Sequence, residues 1–173
     1  MRWLLVLVCG CSFPHGMPSD GGAAGDGMVG DGRLGDTGGA DASIDASSTC
    51  IAMATQTFEQ HHYFATGNAN WQGARNECAS VGGHLVKIES PAENAFVTAT
   101  FTNSFFTWIG LHDPTSANVY TWTDGTLLGV SFNAFPNGVP PLSNGDCVDV
   151  GTNGEWDPYM CSYSGHGGVC ECE

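Results

Sequence analysis

The sequence predicts one disulfide-stapled α+β domain, preceded by a segment that cannot form a core. Three observations lead to this prediction. Eight cysteines occur in 173 residues, and they lack the regular Cys-x-x-Cys pairing of zinc sites, which favours a disulfide framework formed in an oxidising compartment. Two helix-start signals come early in the cysteine-bearing region. Many short apolar stretches follow them, as is typical of an α+β arrangement.

The first predicted helix starts at Asn70, a good N-cap residue, and ends at Gly82-Gly83. Its apolar face consists of residues at helical spacing, namely Trp71, Ala74, Cys78 and Val81. The second helix starts at Ser90-Pro91-Ala92-Glu93, which combines a capping box with Pro at the first helical position.

Short strands are predicted around the helices and near the end of the chain. The predicted strands are Phe58–Thr66, Leu85–Val86, Phe106–Leu111, Val119–Trp122, Cys147–Val150 and Gly168–Cys172. Between Gly125 and Gly145 the composition changes to Gly, Pro, Asn and Ser, which predicts a long loop.

Charge is strongly one-sided, with 18 acidic and 4 basic residues. Beyond Cys11 the only cations are Arg33, Arg75 and Lys87. Three cations cannot neutralise a run of phosphates, so nucleic acid is excluded as a partner, and an anionic membrane surface is equally unsuitable. Neutral sugars, cationic partners and metal ions remain compatible with this charge.

Residues 1–10 are predicted to be an export signal, because the apolar run Trp3–Cys9 is too short to span a bilayer. Val8-Cys9-Gly10-Cys11 resembles a bacterial lipobox, which implies lipidation of Cys11 and an exported protein anchored at a bacterial outer membrane or cell surface. The alternative is an ordinary cleaved signal that leaves Cys11 as a free thiol. Lipidation would leave six cysteines, which can all pair.

Residues 11–49 are predicted to form a flexible acidic tether after the lipidated cysteine. Ten of the 38 residues from 12 to 49 are Gly and six are Asp, too few apolar groups to offset the entropy of ordering. The reach of such a segment is roughly 35 Å. Aspartates recur every five residues, which suggests a calcium-binding repeat as an alternative, but the alternating oxygen ligands and closing acid of known calcium loops are missing.

An ordered set of landmarks spans the remaining residues, 50–173. They read Trp71-x-x-Ala74-x-x-x-Cys78, Gly82-Gly83-His84-Leu85-Val86, Trp108-Ile109-Gly110-Leu111, Trp122-x-Asp124-Gly125, and then Cys147, Trp156, Cys161 and Cys170-Glu171. In this order the set resembles the C-type lectin-like domain. The resemblance implies two helices, short antiparallel sheets and a long binding loop, with the tryptophans in the core.

The resemblance also implies a disulfide pairing. In the family pattern Cys78 pairs with Cys170 and Cys147 pairs with Cys161, which leaves Cys50 to pair with Cys172. Six cysteines allow fifteen pairings, so the sequence alone does not choose between them.

Sugar-binding members of the family hold calcium through several oxygen ligands from the long loop and the strand after it. In this chain the ligand triplet falls on Val139-Pro140-Pro141, which has no side-chain oxygen, and another ligand position falls on Gly145. Asp157 alone keeps its carboxylate. At an accessory calcium site Asp113 and Asp146 match the family, whereas Ala117 and Leu142 do not. These departures from the family pattern predict binding without calcium, and no metal or other cofactor is predicted.

The resulting expectation is a surface-displayed module that recognises an extracellular glycan or protein. The ligand-binding residues predicted on the loop face are Asn137, Asn144, Glu155 and Asp157. No catalytic residue is predicted, because the chain has no nucleophile elbow, phosphate loop or helical metal-binding pair, so an enzyme is not expected. The alternatives are a conventional calcium-dependent lectin and a structural envelope protein.

Overall fold

The fold is described from a computed structural model over residues 46–102, 106–129, 132–140 and 146–173. The predicted signal at 1–10, the predicted lipidation site Cys11, most of the predicted tether and Asn144 lie outside these residues.

Three helices lie in the N-terminal half of the described chain: α1 (Ala46–Met53), α2 (Trp71–Ser80) and α3 (Pro91–Phe101). Both predicted helix starts are confirmed. The Asn70 side chain accepts a hydrogen bond from the Gly73 backbone N–H (2.7 Å), and Ser90 Oγ accepts one from the Glu93 N–H (3.1 Å). None of the described helices is long and apolar enough to cross a membrane.

Helix α1 corrects the prediction of two helices and begins four residues inside the predicted tether. Its sequence carries little amphipathic signal, and long-range contacts hold it in place. Cys50, in the middle of α1, is fully buried and bonded to Cys172. The hydroxyl of Ser47 donates to the Glu173 carbonyl at 2.5 Å. The order of α1 therefore depends on the C-terminal strand, which is more than 120 residues away.

In the part of the chain that the structure describes, eight strands form the sheet: β1 (Gln56–Phe58), β2 (His61–Ala65), β3 (His84–Leu85), β4 (Thr107–His112), β5 (Thr121–Trp122), β6 (Cys147–Val150), β7 (Trp156–Tyr159) and β8 (Gly167–Cys172). The order is β1-β2-β8-β4-β6-β7, with β3 on β8 and β5 on β4. Strands β4 and β8 run parallel, so the sheet is mixed rather than only antiparallel as predicted.

The predicted first strand, Phe58–Thr66, is instead a hairpin. Strands β1 and β2 pair antiparallel, with Phe58 opposite His61. The chain reverses at Glu59, which adopts a positive φ of 53°. The sequence offers no Gly at this turn, so the reversal carries no turn signal of the usual kind. Strand β7 was also not predicted.

Within the described residues three disulfides join Cys50 to Cys172, Cys78 to Cys170 and Cys147 to Cys161. These are the pairs that the resemblance implies. The first two fasten α1 and α2 to β8. The third joins the start of β6 to the turn after β7, so it closes the two-stranded unit that follows the long loop.

Four tryptophans are buried as predicted: Trp71, Trp108, Trp122 and Trp156. Trp156 lies under the long loop, where Trp122, Phe132 and Phe135 meet its ring edge-on at centroid distances of 5.5 to 5.7 Å. Its backbone N–H donates to the Ala134 carbonyl at 3.0 Å. The described end of the loop is thus attached to the core by an aromatic cluster, as expected for rings of this size.

Candidate ligand-binding site

The long loop ends in a short turn that carries the predicted residue Asn137. Pro136–Gly138 form one turn of 3₁₀ helix, closed by a hydrogen bond from the Gly138 N–H to the Phe135 carbonyl at 2.8 Å. Asn137 itself has a left-handed backbone (φ 67°), a conformation that Asn tolerates better than most residues. Phe135 is buried beneath the turn, and the Asn137 side chain is exposed.

The residues after Asn137 provide no calcium ligands from their side chains. Val139 is 62 % exposed and presents only methyl groups, and the Val139–Pro140 peptide bond is trans. Calcium needs several oxygen ligands within reach of one point. The described part of this loop does not fit the calcium ion that the sugar-binding members of the family use.

Glu155 and Asp157, also predicted as ligand-binding residues, lie together on the turn between β6 and β7 and at the start of β7. The Asn153 side chain holds Glu155 by two hydrogen bonds, one from Nδ2 to Glu155 Oε2 (2.7 Å) and one from the Glu155 N–H to Oδ1 (3.1 Å). Gly154 takes a positive φ of 80° at the tip of this turn. Asp157 extends from β7 into solvent.

An open groove of about 430 Å³ connects the loop to this turn. Its walls combine aromatic rings with hydroxyl, amide and carboxylate groups, and the lining residues are Phe106, Pro136, Gly151, Thr152, Asn153, Glu155, Trp156 and Asp157. We call it the loop groove. The structure therefore brings together Glu155 and Asp157, with Asn137 next to the lining residue Pro136.

A buried carboxylate that the sequence reasoning missed lies behind the groove. Asp149 on β6 is directly opposite Asp157 on β7 and is 1 % exposed. Burial, with a smaller effect of the Asp157 charge, raises the pKa of Asp149 to about 8. The only sequence signal is one Asp inside the apolar strand Cys147–Val150, all of which is buried.

His166 faces Asp149 from the segment before β8. The His166 Nδ1 lies 3.2 Å from Asp149 Oδ2, but the two atoms do not have hydrogen-bond geometry. Burial lowers the pKa of His166, which favours its neutral form. No sequence signal relates these two residues, which are 17 positions apart. The packing of β8 beside β4, which in turn pairs with β6, brings them together.

The accessory calcium position at Asp113 is occupied by the chain's own hydrogen bonds. One carboxylate oxygen accepts from the Thr115 N–H (3.1 Å) and hydroxyl (3.2 Å), and the other from the Asn118 N–H (2.5 Å). Burial acts to raise the pKa of Asp113, but these backbone hydrogen bonds outweigh it and the pKa is lowered. The second acidic residue, Asp146, accepts from Ser116 Oγ at 3.0 Å. Both carboxylates therefore hold the loop residues 115–118 in place.

Metal-binding geometry is also missing elsewhere in the part of the chain that can be described. Across residues 46–102, 106–129, 132–140 and 146–173 no three His, Cys, Asp or Glu side chains are grouped so that they could hold a metal ion.

Comparison with known proteins agrees with this architecture. A model of the Lectin C-type domain matches residues 67–172. Hepatic lectin of Gallus gallus is 36 % identical over 112 residues, which are 64 % of this chain and 53 % of that protein. The low affinity immunoglobulin epsilon Fc receptor of Homo sapiens is 34 % identical over 127 residues, which are 72 % and 38 %. The chain thus spans about half or less of the length of these relatives.

Solved structures show the same fold. The cow C-type carbohydrate-recognition domain of CD23, solved in the presence of an oligosaccharide, has a TM-score of 0.59 and 28 % identity, and the match covers 68 % of this chain and 95 % of that one. A calcium-independent type II antifreeze protein has a TM-score of 0.55 and 26 % identity, over 67 % and 88 %. The domain model, the relatives and the shared fold agree, and the chain belongs to the family of proteins with a C-type lectin domain.

Proposed function

We propose that this domain is a recognition module that binds an extracellular glycan, or a protein, through the loop groove and without a conventional calcium site. The observation that carries the proposal is the composition of the groove. One wall is the ring of Phe106, which is 48 % exposed. Other lining positions carry the carboxylate and amide groups of Asn153, Glu155 and Asp157.

Such a groove suits a sugar ring. The apolar C–H face of a pyranose can lie on an exposed aromatic ring, while its hydroxyls donate to carboxylates and accept from amides. Pockets that combine an apolar wall with a few fixed polar groups are the usual form of small-ligand sites. Two hydrogen bonds between Asn153 and Glu155 fix the position of Glu155 before any ligand arrives, which lowers the entropy lost on binding.

Binding without calcium is supported by the absence of oxygen ligands from Val139 and Pro140 and by the internal hydrogen bonds that use Asp113. A calcium-independent protein with this fold is known from the antifreeze structure named above. The competing function is a conventional calcium-dependent lectin. It would have to bind calcium through Asp157 together with loop residues 141–145. Residues 141–145 lie outside the described part of the chain.

We further propose that the domain is exported and held at a bacterial outer membrane or cell surface by a lipid on Cys11. The motif Val8-Cys9-Gly10-Cys11 supports this proposal, as does the one-sided acidic composition, which leaves a lipid as the means of membrane attachment. A structural envelope protein would share this location, but would not need a binding groove.

The test is a glycan and protein array probed with the full chain in calcium and again in a chelator. We expect the same ligands to be bound in both conditions. Glu155→Gln should weaken binding severalfold, because it removes a charged hydrogen-bond acceptor from the groove. Glu77→Gln removes the same charge from an exposed position on α2 and serves as the matched control. Binding that disappears in chelator and returns with calcium would establish the conventional lectin instead.

A further inference from the structure

A second, smaller cavity of about 190 Å³ adjoins the loop groove and shares Phe106 and Asp157 with it. Strands β6 and β7 and the segment before β8 enclose it. Its lining consists of two carboxylates, three aromatic rings and an imidazole, from Asp149, Asp157, Phe106, Tyr159, Tyr163 and His166. We call it the acidic aromatic pocket.

The buried carboxylate of Asp149 lacks a hydrogen-bond donor. Neither of its oxygens has a hydrogen-bond partner among the described residues, and His166 Nδ1, which lies 3.2 Å from Asp149 Oδ2, is also unpartnered there. Buried polar atoms in folded proteins almost always have a partner, because each one left alone costs free energy. A donor that enters the pocket from outside would remove this cost.

No cation of the described chain supplies that donor. The described residues include two Lys or Arg side chains, Lys87 and Arg75. The first is paired with Asp124 and Glu89 at 2.9 and 3.2 Å, and the second lies over the ring of Trp71. Asp149 and Asp157, directly opposite each other on neighbouring strands, therefore form an acidic pair without a Lys or Arg counter-ion from this part of the domain.

The rings of the pocket are held in place by contacts with one another. Tyr163 meets Tyr159 edge-on at 5.1 Å between centroids and His166 at 4.6 Å. Phe106 stacks on His166 at 5.6 Å. Gly165 makes this packing possible, because a Cβ at that position would come within 2.6 Å of the Tyr163 ring. The faces of such rings carry the negative part of the ring quadrupole and attract positive charge, so they can serve as walls for a cation.

We propose that the acidic aromatic pocket binds a primary ammonium group presented by the ligand. The three N–H donors of an ammonium match the free oxygens of Asp149 and the carboxylate of Asp157, and the tyrosine and phenylalanine rings surround its carbon stem. The source of the ammonium is either a lysine side chain or the free amine of an amino sugar. The proposal goes beyond the function proposed above and does not need it, because the pocket can be tested with small amines alone.

The experiment is calorimetric titration of the full chain with three matched pairs of probes. In each pair one member carries a free ammonium and the other is its neutral acetylated form: n-butylammonium and N-butylacetamide, glucosamine and N-acetylglucosamine, and Nα-acetyl-lysine amide with its Nε-acetylated form. We expect n-butylammonium to bind at least tenfold more tightly than its neutral partner. Comparing glucosamine with Nα-acetyl-lysine amide then identifies the source of the ammonium, which is the one of the two that binds more tightly.

Variants locate the binding. Asp149→Asn should weaken amine binding about tenfold or more, because the variant cannot ionise to give the bound ammonium a carboxylate partner. Tyr163→Leu, at a half-exposed ring that leaves the carboxylates intact, should weaken it about two- to fivefold. Glu77→Gln, with the same loss of one negative charge on α2, should bind like the wild type.

Three results would overturn the proposal. The first is equal binding of free and acetylated probes. The second is unchanged amine affinity in both Asp149→Asn and Tyr163→Leu. Misfolding cannot explain that result, because variants that bind with unchanged affinity are folded. The third is zinc or calcium binding that is abolished by Asp149→Asn and displaced by no amine, which would make the pocket a metal site. A failed glycan array with selective amine binding would reject only the function proposed above.

Discussion

The indole Nε1 of Trp156 donates a hydrogen bond to Oδ1 of Asn94 at 2.8 Å, and this bond joins β7 to helix α3. The same amide donates through Nδ2 to the Gly154 carbonyl at 2.9 Å. One side chain on α3 therefore holds both the turn that carries Glu155 and the ring that supports the long loop. The geometry of the loop groove depends on a residue outside it.

Asn94→Ala should destabilise the domain by about 1–3 kcal/mol, because the buried indole N–H would lose its acceptor. Chemical denaturation followed by tryptophan fluorescence measures this change. Asn76→Ala is the control, since Asn76 accepts only from Gln72 on the exposed face of α2 and its removal should change stability by less than about 0.5 kcal/mol. Equal losses in the two variants would show that the Asn94 bridge contributes nothing specific.

Replacing Cys147 and Cys161 together by Ser should lower stability by about 3 kcal/mol, the chain-entropy value for a loop of about 15 residues. The loss should also weaken ligand binding, because this disulfide closes the β6–β7 unit on which the groove is built. Peptide mapping without reduction should recover Cys147–Cys161 from the wild type. A different partner for Cys147 would contradict the placement of the loop.

Millimolar calcium should barely change the melting temperature of the domain. A site with micromolar affinity would add about 4 kcal/mol at a thousandfold excess of calcium, which is readily seen as a shift in the melting curve. Asp157→Ala serves as the comparison, because Asp157 is the carboxylate that keeps the family ligand position. A large calcium shift that this variant abolishes would mean that the loop does bind the ion.

Asp149→Asn should make stability less dependent on pH. Burial raises the pKa of Asp149 to about 8 in the folded domain, against an ordinary value of 3.8. Between these values the folded state holds a proton that the unfolded state has released, so this group's contribution to stability is complete below about pH 4 and falls as pH rises to about 8.

The difference in unfolding free energy between Asp149→Asn and the wild type should therefore shift in favour of the variant by up to about 1.4 kcal/mol per pH unit between pH 5 and 8. Urea denaturation at pH 5, 6, 7 and 8 measures it, with Glu77→Gln as a control for the loss of one surface charge. Parallel curves for wild type and variant would show that Asp149 is already ionised at pH 5.

Cys11→Ser should release the protein from membranes or leave an uncleaved precursor, because lipid transfer requires the cysteine sulfur. Metabolic labelling with a fatty acid, followed by fractionation, measures the effect, and Ser12→Ala is the control. A mature protein that begins beyond residue 11 and carries no lipid would contradict the proposed anchor.

Local signals predicted those elements whose boundaries depend on neighbouring residues. Asn70 and Ser90 cap α2 and α3 because their side chains accept from backbone N–H groups three residues away, an interaction that short-range sequence encodes. Helix α1 was not predictable in this way, because its order depends on Cys172 and Glu173 at the other end of the chain.

The candidate site likewise has parts that the sequence predicted and parts that only the tertiary structure determined. The acidic charge follows from the composition alone. The missing calcium ligands at Val139-Pro140-Pro141 and the expected position of Glu155 and Asp157 near the loop follow from the resemblance of the sequence to the family. Only the tertiary structure placed Asp149 opposite Asp157 and beside His166. The register of β6 and β7 sets Asp149 opposite Asp157, and the packing of β8 beside β4 brings His166 to Asp149. Both depend on how whole strands pair, which residue identity at single positions does not specify.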